Sequence, residues 1–208
     1  MAAFPGAPRT ARGAIAEVDP LSGITRVVTF QINPHTLTRS FEIPGGGGAG
    51  PESGQLSRPP IESIRVELEI DAADDLEAGL APSVAARIAA LEVLVTPSAA
   101  SAIANAAIAA AGTIEIFPPS APICLFCWGA GRVIPVVVKE LQVTEEAHDP
   151  QLRPTRARAT VGMRVLTWAD VGPTHPAFAM SIAAQLSKEA QASKVTAASL
   201  DALTAATR

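Results

Sequence analysis

Ile64-Arg-Val-Glu-Leu-Glu-Ile70, "IRVELEI", alternates without a break: Ile64, Val66, Leu68 and Ile70 take one parity and Arg65, Glu67 and Glu69 the other. A period of two is the signature of an extended strand with one face on a core and one face in water or against a partner. Strands of that kind belong to antiparallel sheets, whose connections leave one side uncovered. The stretch therefore points to a mainly β fold, and its surroundings have to supply the remaining strands.

Upstream, "GAIAEV" (13–18) and "ITRVVTFQI" (24–32) flank Asp19, Pro20 and Gly23, which predicts two strands joined by a turn. In the second of them Ile24, Val28, Phe30 and Ile32 share a face with Arg26, while Thr25, Val27, Thr29 and Gln31 share the other. Pro34 has no N–H to give to a ladder and biases Asn33 away from helix, so pairing is expected to break there. "TLTRSFEI" (36–43) then begins a new extended piece after the Asn33-Pro34 corner. Downstream, "SVAARIAALEVLV" (83–95) places Val84, Ile88, Leu91 and Val95 at helical spacing behind a capping candidate, Ser83, and predicts a helix lying across the sheet. A second group of strands follows at 123–128, 133–144 and 155–168, as a meander. On the last of these, Ala157, Ala159, Val161, Met163 and Val165 line one face; Arg156, Arg158, Thr160, Arg164 and Trp168 line the other. The three arginines suit either a docking surface or a solvated face. From His175 onward the chain changes to helix formers with low relief, after a linker at "DVGPTHP" (170–176), so one or two terminal helices are expected.

Composition narrows the function classes. The apolar share is 48%, yet much of it is alanine and aromatics make up only 4%, so the core leans on Val, Ile and Leu. The net charge is −4 with scattered Lys and Arg, which argues against a nucleic-acid partner. No apolar segment precedes "EVDPLSG", and the expected location is the cytoplasm. The 22 uncharged residues between Glu92 and Glu115 are long enough to span a bilayer, but Pro97, Asn105 and the abundance of Ala make insertion weak. A flat Ala-rich helix from Ser98 to Ala111, packed on its own sheet or on a neighbouring subunit, is the expectation.

The motifs that carry chemistry elsewhere lack their context here. Gly45, Gly47 and Gly50 have the G-x-G-x-x-G spacing, but no helix with apolar periodicity follows Pro51, so a loop is expected. Cys124 and Cys127 form the one C-x-x-C, on a predicted strand that sends residues three apart to opposite faces; buried inert thiols are expected, with a redox or metal role as the alternative. His35, His148 and His175 sit apart in loop-like contexts. Asp71, Asp74 and Asp75 lack the spacing of a calcium loop and read as a solvated turn. Neither a catalytic residue, a cofactor nor a metal is expected.

"VTFQINPHTLTRSFE" (28–42) resembles the opening of the tube-type domain of contractile injection system and phage-tail adaptor proteins. "PPSAPICLFCWG" (118–129) is similar to that family's Pro-Pro, apolar strand and Trp-Gly sequence, and "VIPVVVKELQVTEEAHDPQLRPTRARATVGMRVL" (133–166) to its final hairpin. These pieces span roughly residues 13 to 170 in the family's order. The resemblance implies an α+β, mainly β fold, a tail-tube-type β-barrel or sandwich with a packed helix and a helical C-terminal extension. It divides the chain into 1–172, with a Gly-rich loop at 44–60 and an Ala-rich helical insert at 82–112, and 173–208. It implies a structural role: a homo-oligomeric ring, a hexamer by analogy, that joins the inner tube protein to the spike protein among other baseplate components, without membrane insertion. By the same analogy Asn33, Pro34 and Leu37 shape a corner, Trp128 and Gly129 close a strand, and Arg156 with Ala157 opens an interface strand. The extended arm after Asn33-Pro34 would belong to the next sheet or the next subunit. Arg65, Glu67, Arg158, Arg164 and Trp168 complete the candidate interface. Many relatives carry a LysM module after the β domain; this chain carries helix formers there, so glycan binding is not implied. A stand-alone β-sandwich binding module is the alternative reading.

Overall fold

In a computed structural model, the structure describes residues 11–19, 23–44, 58–77, 83–96, 98–110, 122–129 and 131–206. The strands are β1 (Ala14–Asp19), β2 (Gly23–Thr29), β3 (Leu37–Glu42), β4 (Ile61–Asp71), β5 (Ile123–Cys127), β6 (Val133–His148) and β7 (Pro154–Val165). The helices are α1 (Ala73–Glu77), α2 (Val84–Val93), α3 (Ala99–Ala110) and α4 (Pro176–Ala206). All seven strands form one antiparallel sheet in the order β2-β1-β5-β6-β7-β4-β3. The fold is mainly β, as the alternation at 64–70 predicts.

The sheet is rolled around α2. This helix touches β2, β4, β6 and β7 together, although five strand spacings, about 24 Å if flat, separate β2 from β4. A helix about 10–12 Å across reaches both only if the sheet curls over it. Val84, Ile88, Leu91 and Leu94 of the helix region meet Ile64, Val66, Leu68 and Ile70 of β4 and the alternate residues of β7, Ala157 to Val165, in one core. Each strand contributes its even or odd set because a pleated strand can turn only one set inward.

The two edges of the sheet are two halves of one chain segment. β2 pairs with β1, the chain crosses residues 30–36, and β3 pairs with β4 at the far edge, Leu37 opposite Val66 and Glu42 opposite Ile61. Strand pairing does not close the roll between them. At the crossing, the Gln31 side-chain amide donates to the Asp71 carbonyl at 2.8 Å and accepts the Asp71 N–H at 3.1 Å, so it stands in for a strand neighbour. Asn33 fixes the corner: its Oδ1 accepts the Gly13 N–H and its Nδ2 donates to the Ala11 carbonyl, both at 2.8 Å. The arm after Asn33-Pro34 thus joins the far edge of this chain's own sheet, not another sheet.

Next to this corner Phe30, Phe126 and Trp128 pack with ring centroids 5.9–6.4 Å apart. Gly13 is required beneath them, since a Cβ there would lie 2.5 Å from Phe30 Cδ2.

Several local expectations change. β2 ends at Thr29, and as an edge strand it leaves Ile24 61% exposed; Val28 and Phe30 alone of the predicted apolar face pack inward, and Ile32 is exposed. β7 ends at Val165, so Trp168 lies in the turn after it and not on its outer face. Ser83 does not cap α2 through its side chain: its Oγ donates to Asp75 and accepts from Arg87 Nε. The described side chains of α3, including Ile103 and Ile108, are exposed. The tail is one helix, α4; among its described side chains Ala177 and Ser181 are buried, while Leu186 of the expected Phe178–Ile182–Leu186 stripe is exposed. Among the described residues no helix is long and apolar enough to cross a membrane. Gly45, Gly47 and Gly50 lie outside the described residues, as does part of the 82–112 segment.

Candidate functional site

The outer face of the sheet collects most of the residues singled out from sequence. On β4 and β7 the register sets Arg65 opposite Gly162, Glu67 opposite Thr160, Glu69 opposite Arg158 and Asp71 opposite Arg156. Every arginine of this face has a carboxylate. Arg65 pairs with Glu140; Arg156 lies 3.8 Å from Asp71 and 3.3 Å from Glu146; Arg158 lies 3.0 Å from Glu67, with Glu69 and Glu146 within 3.9 Å. Arg164 pairs with Asp170 at 2.6 Å. Apart from Arg164–Asp170, which joins β7 to the turn after it, these are exposed cross-strand pairs, each worth well under about 1 kcal/mol, and together they make the face internally matched in charge.

The structure divides the sequence-derived candidates among three grooves. Arg65 and Arg164 border a 320 Å³ trough floored by Thr38, Ser40, Ser63 and Gly162. Asn33 and Pro34 meet Glu67 and Arg158 around a cleft of 180 Å³. Trp168 lines a 280 Å³ groove with Phe41, Pro60 and Leu166 beside α4. Leu37 is half-buried at the start of β3, against the core. Trp128 and Gly129 do close a strand: β5 ends at Cys127, and Gly129 takes a positive φ of 71° in the turn that follows.

Edges with no strand neighbour among the described residues are the second feature of the sheet. β5 covers β6 only from Val133 to Val136, so from Val137 to His148 β6 has one strand neighbour, β7, among the described residues. The outer edges of β2 and β3 are likewise without a strand neighbour there. Rows of free N–H and C=O groups are templates for another strand.

Sequence reasoning missed a strongly buried ionic site. Glu62 is 3% exposed, at the start of β4 on its core parity. Arg39 Nε of β3 donates to its Oε1 at 2.7 Å, and Lys188 Nζ of α4 to its Oε2 at 2.7 Å. Both cations also stand over the Phe41 ring, at 5.2 and 6.0 Å from its centroid. A buried carboxylate needs such partners to stay charged, and here they tie three separate elements together. The signal was present: the parity of Ile64 to Ile70, extended two residues back, puts a glutamate at a core position.

The remaining chemistry-bearing residues stay apart. Burial pushes the Cys124 thiol up to about 12, with Glu17 adding to the effect, and burial also raises Cys127. Cys124 is buried and Cys127 half-buried on β5. His148 pairs with Glu145 at 2.9 Å, and His175 Nδ1 accepts the Ala177 N–H at the start of α4. Hydrogen bonds from the Ser83 hydroxyl and then its backbone N–H hold the Asp75 carboxyl below the usual range. Among the described residues no three His, Cys, Asp or Glu side chains are grouped to hold a metal ion.

No protein-family model matches this chain, and no curated protein matches it. Its geometry and its sequence carry the functional reading.

Proposed function

We propose that this chain is a structural subunit of a contractile, phage-tail-like injection particle, a homo-oligomeric ring protein that links the inner tube to the central spike in the baseplate. The observation that carries this reading is the long stretch of β6 from Val137 to His148 that has β7 as its one strand neighbour among the described residues, although its register with β7 shifts at three places, together with the outer edges of β2 and β3 at the two ends of the sheet. Bulges only partly blunt so long an edge, and assembly into a closed ring covers it without leaving an end. The β-to-helix-to-β order and the mainly antiparallel sheet agree with the tube-type domain that the sequence resembles. In this reading the role of Asn33, Pro34 and Leu37 is to aim the β3 arm, and that of Arg156 and Arg158 is to stiffen the β6–β7–β4 face behind the assembling edge. The sheet acts as scaffold, with no catalytic residue and no cofactor.

One observation favours the stand-alone binding module instead: the outer-face arginines are all paired within the chain. Co-expression with inner-tube and spike proteins separates the two. The ring reading expects this chain to co-purify with both, and a Thr144→Pro/Gln142→Pro variant, which spoils the β6 edge, to be lost from the complex. Recovery of the wild-type chain free of both partners would remove the proposal.

A further inference from the structure

Lys188 and Arg39 do more than neutralise Glu62. On the side of α4 away from Trp168, they join Arg132 around a second cleft of 280 Å³, whose floor is Val133, Ile134 and Ala184 and whose rim carries Ser187. The three cations arrive from β3, from the β5–β6 turn and from α4, elements far apart in sequence. None of the residues lining the cleft is acidic. Glu62 lies beneath, and its two oxygens are spent on Arg39 and Lys188. Arg132 has no carboxylate within ion-pair distance among the described residues. One carboxylate thus faces three fixed positive charges.

Like charges gathered in a recess repel each other and lower stability unless an anion is there to meet them. Guanidinium groups with an ammonium and a hydroxyl at the rim are the donors that recognise oxyanions, the guanidinium through paired N–H groups and the ammonium as a point charge. The hydrophobic floor lowers the local dielectric and strengthens the attraction. We infer that the cleft between Arg39, Arg132 and Lys188 binds an oxyanion, a phosphate or a carboxylate group, and that its occupancy clamps α4 onto the mouth of the rolled sheet. The clamp follows from the placement of Lys188: it is half-buried on α4 just ahead of residues 189–196, which are exposed. An anion held by Arg132 and Lys188 ties the helix to the β5–β6 turn as well as to β4. The inference stands on the charges of this cleft and is independent of the ring reading.

The test uses the full chain with inorganic phosphate, and separately with a short N-acetylated triglutamate peptide, each against sodium chloride of matched ionic strength. The expected result is a saturable rise in melting temperature and slower amide exchange at residues 183–191 with one of the two probes. Phosphate alone being active identifies a free anion; the peptide alone, a carboxylate of a protein partner. Arg132→Ala is expected to weaken that response about tenfold, the loss of one charge-assisted contact, and not to lower the unliganded melting temperature, because Arg132 supports no ion pair in the fold and its removal relieves repulsion in the cleft. Arg132→Lys should restore part of it. No saturable effect of either probe over chloride, or an equal effect in Arg132→Ala, overturns the inference. Neither outcome bears on ring formation.

Discussion

Replacing Glu62 by glutamine removes one negative charge and keeps the shape of the side chain. At 2.7 Å each of its two ion pairs amounts to about 6 kcal/mol of Coulomb attraction at an effective dielectric of about 20. Most of that is offset by the desolvation of the carboxylate, and the cations are themselves partly hydrated, with Arg39 26% and Lys188 40% exposed. Breaking a fully buried pair costs roughly 3–5 kcal/mol; partial exposure of both cations brings the expected loss to about 2–3 kcal/mol. In a chain of this size about 1 kcal/mol moves the melting temperature by roughly 2–4 °C, so Glu62→Gln should melt about 4–12 °C below the parent. The loss should also be local. Hydrogen exchange is expected to accelerate in α4 from Ala177 to Gln191, with β4 and β7 keeping their protection, because Lys188 is the ionic contact of α4 with the sheet. Calorimetry and exchange read by mass spectrometry measure both. A melting temperature within about 1 °C of the parent, or faster exchange spread evenly over the sheet, refutes the reasoning that this carboxylate holds the helix.

Two further substitutions and a labelling experiment probe the roll of the sheet and its thiols. Gly13→Ala puts a Cβ 2.5 Å from the Phe30 ring, and chemical denaturation should show a loss of about 1–3 kcal/mol from overpacking. Gln31→Leu removes both bonds to Asp71 and leaves its N–H and C=O without that partner; a loss of about 1–3 kcal/mol is expected, with faster exchange at the end of β4. Alkylation with iodoacetamide follows the thiolate, and a thiol pushed up to about 12 carries almost none at pH 8. Cys124 should therefore be labelled only on unfolding and Cys127 sooner; comparable rapid labelling of both in the folded chain would contradict the placement of β5.

Much of the fold is legible in the sequence because the sheet is amphipathic where it matters. The alternation of Ile64 to Ile70 and of Ala157 to Val165 gives two adjacent strands and their inward faces, and the spacing of Val84, Ile88 and Leu91 gives the helix they surround. What escapes is set by tertiary context. β2 reads as half-apolar, but a place at the sheet edge leaves Ile24 in water. α4 turns its small residues Ala177 and Ser181 inward, so its buried stripe has no apolar contrast to reveal it. The grouping of Arg39, Glu62, Arg132 and Lys188 depends on a helix returning over the sheet more than a hundred positions later, as the separation of 126 between Glu62 and Lys188 shows. No local spacing encodes such a contact. Asn33, by contrast, was legible as a corner, though not its bonds to the residues that precede β1.

Electron microscopy of the purified chain, with native mass spectrometry of the same sample, tests the central claim most directly. Closed rings of a single stoichiometry, in which the β6 amides between Val137 and His148 that face away from β7 are protected from exchange, are the predicted result. A uniform population of monomers with those amides exchanging freely at every concentration would contradict it.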